Sequence, residues 1–160
     1  MTAAEVITAL KLEPLDWEGG WFRRTWESSE KLDERRCGSA IYFLITRQNF
    51  SALHRVTTTE IFHFYAGAPA ELLMLHPDGH GEWRRLGVDL ANGETPQIVI
   101  PGNTWQGLRV ADDAPSQPDW TLLGATLAPE FVWDAFTLGD RETLIRDYPR
   151  WADAIHTLTR

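Results

Sequence analysis

The chain has 160 residues, a hydrophobic fraction of 43% and a formal net charge of −8. That length suits one domain with its own core; the lack of a long apolar run excludes a membrane-spanning helix, and the acidic balance, which repels phosphate backbones, excludes nucleic acid as a partner. Cys37 is the only cysteine, so neither an internal disulfide nor a thiolate zinc site can form, and with no charged-then-apolar leader the composition predicts a soluble, cytoplasmic protein.

Thr2 and Glu5 have the spacing of a capping box ahead of Val6, Ile7, Ala9 and Leu10, which predicts a helix over residues 3–12 that stops near Pro14. The pair Gly19-Gly20 in "WEGGWFRRTWES" predicts a tight bend or a close backbone approach, and the aromatic and β-branched residues after it a strand through Thr25. "SSEKLDERRCGS" is polar, mixes signs and reads as an exposed loop.

From Ala40 the text changes to short runs rich in Ile, Phe, Tyr, Val and Leu, separated by turn residues. These are "AIYFLIT", "SALHRV", "EIFHFYAG", "AELLMLH", "GEWRRLGVDL", "PQIVIPG", "TWQGLRVA" and "WTLLGATLA". The Asp-Gly pair in "HPDGHG" marks a hairpin turn. Regular strands without intervening helices argue for an antiparallel sandwich or barrel. Asp140 can cap "RETLIRDY", and Pro149 separates it from "RWADAIHTL". The expectation is an all-β protein with minor terminal helices, one domain over 1–160. Residues 1–37 form an N-terminal helix, Gly-Gly strand and loop, 38–133 the barrel, and 134–160 a helical tail.

"SALHRVTTTEIFHFYAG", residues 51–67, carries the chemistry. Alternate side chains of a strand share a face. His54 therefore shares a face with Val56, and Glu60 with Phe62 and Phe64, while Ile61, His63 and Tyr65 take the opposite side. Two adjacent strands joined by Thr57-Thr58-Thr59 would bring His54 and Glu60 inward together, with Phe62 and Phe64 as apolar pocket walls. A carboxylate beside an imidazole inside a barrel can hold a proton donor or acceptor near neutrality, because the imidazole charge lowers the carboxyl pKa and burial raises it. Such a pair suits proton transfer next to a carbonyl, as isomerases and epimerases require. The competing reading is a polar core pair that satisfies its own hydrogen bonds.

The spacing His54-x-Val56-x-x-x-Glu60 with Gly67 beyond it resembles the first motif of the cupin superfamily, and "PGNTWQ" (101–106) resembles the second, with Asn103 where Gly is usual and Gln106 where a histidine is usual. The ordered blocks "EGGWFR", "SALHR", "EIFHFYAG", "VIPGNTWQ", "TLLGATLAPEF" and "YPRWADAI" are similar to one subfamily, cupin-5, long called a domain of unknown function. "PLDWEGG" departs from it, lacking a usual His-Pro before Glu-Gly-Gly. The resemblance implies a double-stranded β-helix, or jelly-roll, cupin barrel and commonly a homodimer. It also implies a metal position formed by three imidazoles and a carboxylate, a set that holds first-row divalent ions. Here only His54 and Glu60 remain, with the neutral amide of Gln106; Val56 offers nothing. No tightly bound cofactor is expected, a weak divalent metal on His54, Glu60 and Gln106 being the lesser alternative.

The sequence thus predicts a cupin-type barrel that binds a small polar metabolite through His54, Glu60, Phe62, Phe64, Trp105 and Gln106. The alternative is a sugar or keto-compound isomerase or epimerase with His54 and Glu60 as catalytic groups, and a weaker one a metal-dependent cupin enzyme. Trp105 either packs outward or closes one end of the pocket. Glu18-Gly19-Gly20 reads as a strand bend, His76 and His80 as solvated, and Phe131, Trp133 and Phe136 as packing that ties the tail to the barrel, with any exposed part a dimer contact.

Overall fold

The computed structural model describes residues 1–112 and 118–160. Helix α1 (Ala3–Leu10) starts at the expected capping box, with Thr2 accepting from the Glu5 N–H and Glu5 reaching back to Thr2. Thirteen strands follow: β1 (Glu13–Pro14), β2 (Trp21–Glu27), β3 (Lys31–Leu32), β4 (Arg35–Arg36), β5 (Ser39–Thr46), β6 (Ser51–Val56), β7 (Glu60–Gly67), β8 (Ala70–Leu75), β9 (Gly81–Leu86), β10 (Gln97–Ile100), β11 (Trp105–Val110), β12 (Trp120–Leu127) and β13 (Phe136–Leu138). Helices α2 (Arg141–Asp147) and α3 (Ala152–Thr157) close the chain, α2 capped by Asp140 as expected.

The strands form two facing antiparallel sheets, one in the order β1-β2-β5-β12-β7-β10 and the other β13-β6-β11-β8-β9. The core fills the space between them with Phe43, Ile45, Phe62, Leu72, Met74, Leu108, Val110 and Leu123. Each sheet is also covered outside, which is why strands such as "AIYFLIT" are apolar on both faces. Val6 of helix α1 and Leu12 just after it pack over Leu44 and Trp120 of the six-stranded sheet. The tail packs Leu144, Ile155 and Leu158 over Leu53, Leu73 and Leu75 of the five-stranded one.

Four local features depart from the expectations. The polar 28–39 stretch folds back on itself as the small ribbon β3–β4. Strand β9 ends at Leu86, and the residues after it turn into a 3₁₀ segment at Leu90–Asn92. Residues 136–138, placed in the helical tail by the sequence, are an edge strand paired with β6. Most consequential for the site, β6 and β7 are not hydrogen-bonded neighbours: β6 pairs with β11 and β13, β7 with β10 and β12. The connection through residues 57–59 carries the chain from one sheet to the other. Among the described residues no helix is long and apolar enough to cross a membrane.

Removing a buried aliphatic side chain from the tail interface leaves a cavity as well as losing burial. Ile155→Ala should therefore lower the unfolding free energy by roughly 2–4 kcal/mol, measured by denaturant titration; a loss under about 0.5 kcal/mol would mean that the tail is only loosely applied.

Candidate functional site

Strand parity places His54 and Val56 of β6 on the inner face of one sheet, and Glu60 and Phe62 of β7 on the inner face of the other. All four line one cavity of about 270 Å³. Both polar groups are deeply buried, with 4% of His54 and 7% of Glu60 exposed. They converge across the barrel rather than along a hairpin. Gln106 of β11 stands opposite His54 in register, and its Nε2 donates to Glu60 Oε2 at 2.6 Å, so that the bond joins the two sheets.

The apolar walls come from Phe22, Ile41, Phe43, Val56, Phe62, Ala125 and Leu127. The mouth is aromatic: Phe131, Trp133 and Phe136 line it, and Trp17 stands against Trp133 with ring centroids 6.3 Å apart. Phe136 stacks on the His54 ring at 5.2 Å, and Phe131 meets Trp133 edge-on at 5.0 Å. The residues read from sequence as tail packing are therefore walls of the cavity. Trp17 and Trp133 remain 71% and 56% exposed at its rim.

Glu18 is a second carboxylate in the lining. The turn that presents it needs the two glycines, whose φ angles of +105° and +77° lie where a side chain is strained. A Cβ on Gly19 would run into the Phe50 carbonyl oxygen and the Arg160 guanidinium. Arg160 donates to the Glu18 carbonyl, to Asn49 Oδ1 and to the Phe50 carbonyl, and the Ala52 N–H donates to the Glu18 carbonyl at 2.8 Å. Thus "EGG" is a docked loop that holds Glu18 against the start of β6. Its Oε1 accepts from Ser51 Oγ and lies 3.8 Å from His54 Nδ1.

His54 Nδ1 is 2.8 Å from the Ala52 carbonyl oxygen, which can only accept. Nδ1 therefore carries a proton, and in the neutral ring Nε2 is left as an acceptor. Burial pushes the Glu60 carboxyl up from 4.5 to about 7; the His54 charge and the Gln106 hydrogen bond pull it down, and Glu18 adds a smaller upward push. Gln106 suits a group poised between two states. Its Oε1 is buried without a hydrogen-bond partner. The amide donates through Nε2 to an ionised Glu60, and after a half-turn can accept through Oε1 from a protonated one.

The other expected site residues lie elsewhere. Phe64 is on the Glu60 side of β7 but packs against the main core, beyond the cavity. Trp105 takes the opposite face of β11 from Gln106, against the tail cluster, with the Arg55 guanidinium 4.7 Å from its ring centroid. His63 is on the outer face, Nε2 near Thr126 Oγ1 at 3.2 Å, and a β-bulge around Tyr65 leaves that ring exposed over Gly124. His76 is half-buried rather than solvated: it is 3.3 Å from Glu82 and stacks on exposed His80.

Residues 4–139 match the profile of the cupin-5 family, described as Cupin superfamily (DUF985). The chain belongs to the cupin-5 family. An uncharacterised protein of Saccharomyces cerevisiae, YML079W, is 24% identical over 104 residues, 56% of this chain and 52% of that one, so the chain matches about half the length of this curated relative. The crystal structure of protein SO0799 from Shewanella oneidensis is 33% identical, covers 100% of this chain and 98% of that one, and superposes with a TM-score of 0.91. A hypothetical protein from Leishmania major is 27% identical, with 99% of both chains covered and a TM-score of 0.92. Oxalate decarboxylase from Bacillus subtilis shares the fold alone, at 10% identity and a TM-score of 0.59 over 93% of this chain and 37% of that one. The jelly-roll cupin barrel is thus the architecture of this cupin-5 chain.

The superfamily's metal position does not suit the donors found here. Among the described residues no three His, Cys, Asp or Glu side chains are grouped so as to hold a metal ion. Val56 stands where an imidazole would be needed, and Gln106 spends its amide on Glu60. One imidazole, a carboxyl bonded to Gln106 and a second carboxyl, Glu18, bonded to Ser51 are a poor set for a first-row divalent ion.

The raised Glu60 carboxyl has a signature in stability. The unfolded chain gives up this proton near 4.5 and the folded chain near 7, so the folded state binds more protons between the two values and stability falls as pH rises through that window. Glu60→Gln should match the wild type below pH 4.5 and exceed it by about 3 kcal/mol at pH 8. Denaturant titrations at several pH values measure this; parallel pH profiles for the two proteins would show that the carboxyl is not held neutral by burial.

Proposed function

We propose that this cupin-5 barrel binds a small organic molecule in its interior, without a tightly held metal. The observation that supports the reading is the convergence of buried His54 and Glu60, from opposite sheets, on one cavity of about 270 Å³ with apolar walls. A few polar groups in an otherwise apolar concavity is the composition of a ligand site. The expectation of a polar metabolite narrows to a molecule with one polar end at His54, Glu60 and Glu18 and an apolar or aromatic body against Phe22, Phe62 and the mouth. Native mass spectrometry of the purified protein should show a small molecule held by the wild type and lost from His54→Ala, with unfolding still cooperative. A His54→Ala protein that keeps the molecule, or a wild type that never carries or takes up one, defeats the reading.

A second reading, an isomerase or epimerase, is favoured by the Glu60 carboxyl near 7. A group with that value both takes and returns a proton at neutral pH, which abstraction next to a carbonyl requires. In this scheme Glu60 moves the proton, Gln106 holds the carboxyl in either state, and His54 meets the carbonyl oxygen as the imidazolium, whose Nε2–H can donate while Nδ1 stays on Ala52.

The protein is taken to be a homodimer. Tyr65 and Val99 are exposed on the outer face of β7 and β10, beyond the area that α1 covers, and apolar groups exposed on a sheet face favour a symmetric partner. Light scattering should give twice the 18.2 kDa chain mass; a strictly monomeric species at micromolar concentration contradicts it.

A further inference from the structure

We propose that the ligand of this cavity is an organic cation, a protonated or quaternary amine on a compact apolar or aromatic body. The inference rests on the binding-pocket reading above and specifies its ligand by charge.

The polar end of the cavity offers acceptors. Glu60 gives one oxygen to Gln106 and has its other free of any hydrogen bond in the structure, and Glu18 gives one oxygen to Ser51. His54 Nδ1 is committed to the Ala52 carbonyl, which leaves Nε2 as the ring atom free to face the space. Ser39 is the one hydroxyl in the lining, and it accepts from the Phe131 N–H. Two carboxyl groups thus face the space against one imidazole. The other cation of the lining, Arg24, is already paired with Glu27. Above neutrality Glu60 is ionised, and the groups that face it are His54 from β6, Gln106 from β11 and Glu18 from the docked loop. A buried anionic end calls for a cationic complement, because a charge removed from water needs a partner.

The mouth points the same way. Trp17, Phe131, Trp133 and Phe136 form a chain of rings with neighbouring centroids 5.0 to 6.3 Å apart. Ring faces attract cations and reject anions, and most strongly where water is excluded. A ligand entering between them meets aromatic rings before it reaches the carboxyl groups. Elsewhere among the described residues four rings carry a guanidinium: Tyr42 under Arg23, Phe50 under Arg160, Trp83 under Arg109 and Trp105 under Arg55. At the mouth no side-chain cation of the described residues is recorded over Trp17, Phe131, Trp133 or Phe136. The cavity has room for roughly nine water-sized groups, which fits a phenylalkylamine.

Three near-isosteric probes test this: phenethylamine, 2-phenylethanol and phenylacetate, titrated at pH 8 into the full chain and followed by amide NMR shifts of the lining residues. The amine should bind at least about tenfold more tightly than the alcohol, and phenylacetate least. Glu60→Gln should erase most of the amine's advantage, with cooperative unfolding and a dispersed amide spectrum showing that the variant is folded. Equal binding of amine and alcohol, or tightest binding of phenylacetate, overturns the cation assignment and leaves the pocket reading standing. If no probe shifts a lining residue, both fall.

Discussion

A carboxyl group buried between two β-sheets has to find a hydrogen-bond partner or give up its charge, and Glu60 does some of each. Gln106 reaches it from the opposite sheet at 2.6 Å, while burial lifts its proton affinity into the neutral range. This contact ties the two sheets together at one end of the barrel. Leu72, Leu108 and Leu123 fill the core between the sheets, and Glu60 faces the cavity. A half-satisfied polar pair costs stability, so its presence is better explained by what it contacts than by what it stabilises.

The surroundings of that pair separate two jobs. Walls from Phe43, Phe62 and Ala125 supply burial, which is non-directional and accepts many shapes. In the proposed ligand site the polar end would supply orientation through a small set of fixed atoms. His54 is fixed twice, by the Ala52 carbonyl and by the ring of Phe136, so it cannot swing away when Glu60 changes protonation state. Val56 stands in place of an imidazole, so the donor set at this position differs from the three imidazoles and carboxylate of the superfamily's metal site.

Much of this was legible from alternation. The period of two put His54 with Val56 and Glu60 with Phe62, and excluded His63, and the structure agrees. It could not say that β6 and β7 lie in different sheets, because a three-residue connection fits a hairpin as well as a crossing between layers; what decides is pairing with β11 and β12, more than forty residues away in sequence. Phe64 and Trp105 show the same limit: Phe64 keeps its face but sits too far along the strand, and Trp105 keeps its alternation but faces the tail helices. The mouth was hidden for another reason. Trp17, Phe131, Trp133 and Phe136 come from two stretches over a hundred residues apart and have no common period. The Gly19-Gly20 pair was the one local signal of something special there, and its positive φ angles serve a loop docked by Arg160 rather than a simple bend.

The placement of that aromatic rim has an evolutionary side. Trp17 and Trp133 lie outside the strands of both sheets and keep most of their surface in water, so changing them removes little that the fold needs. The residues at the bottom of the barrel are locked in place by both layers and resist change. Substitution is therefore cheaper at the entrance than at the acid–imidazole pair, and the proposed ligand preference could be retuned there without rebuilding the barrel.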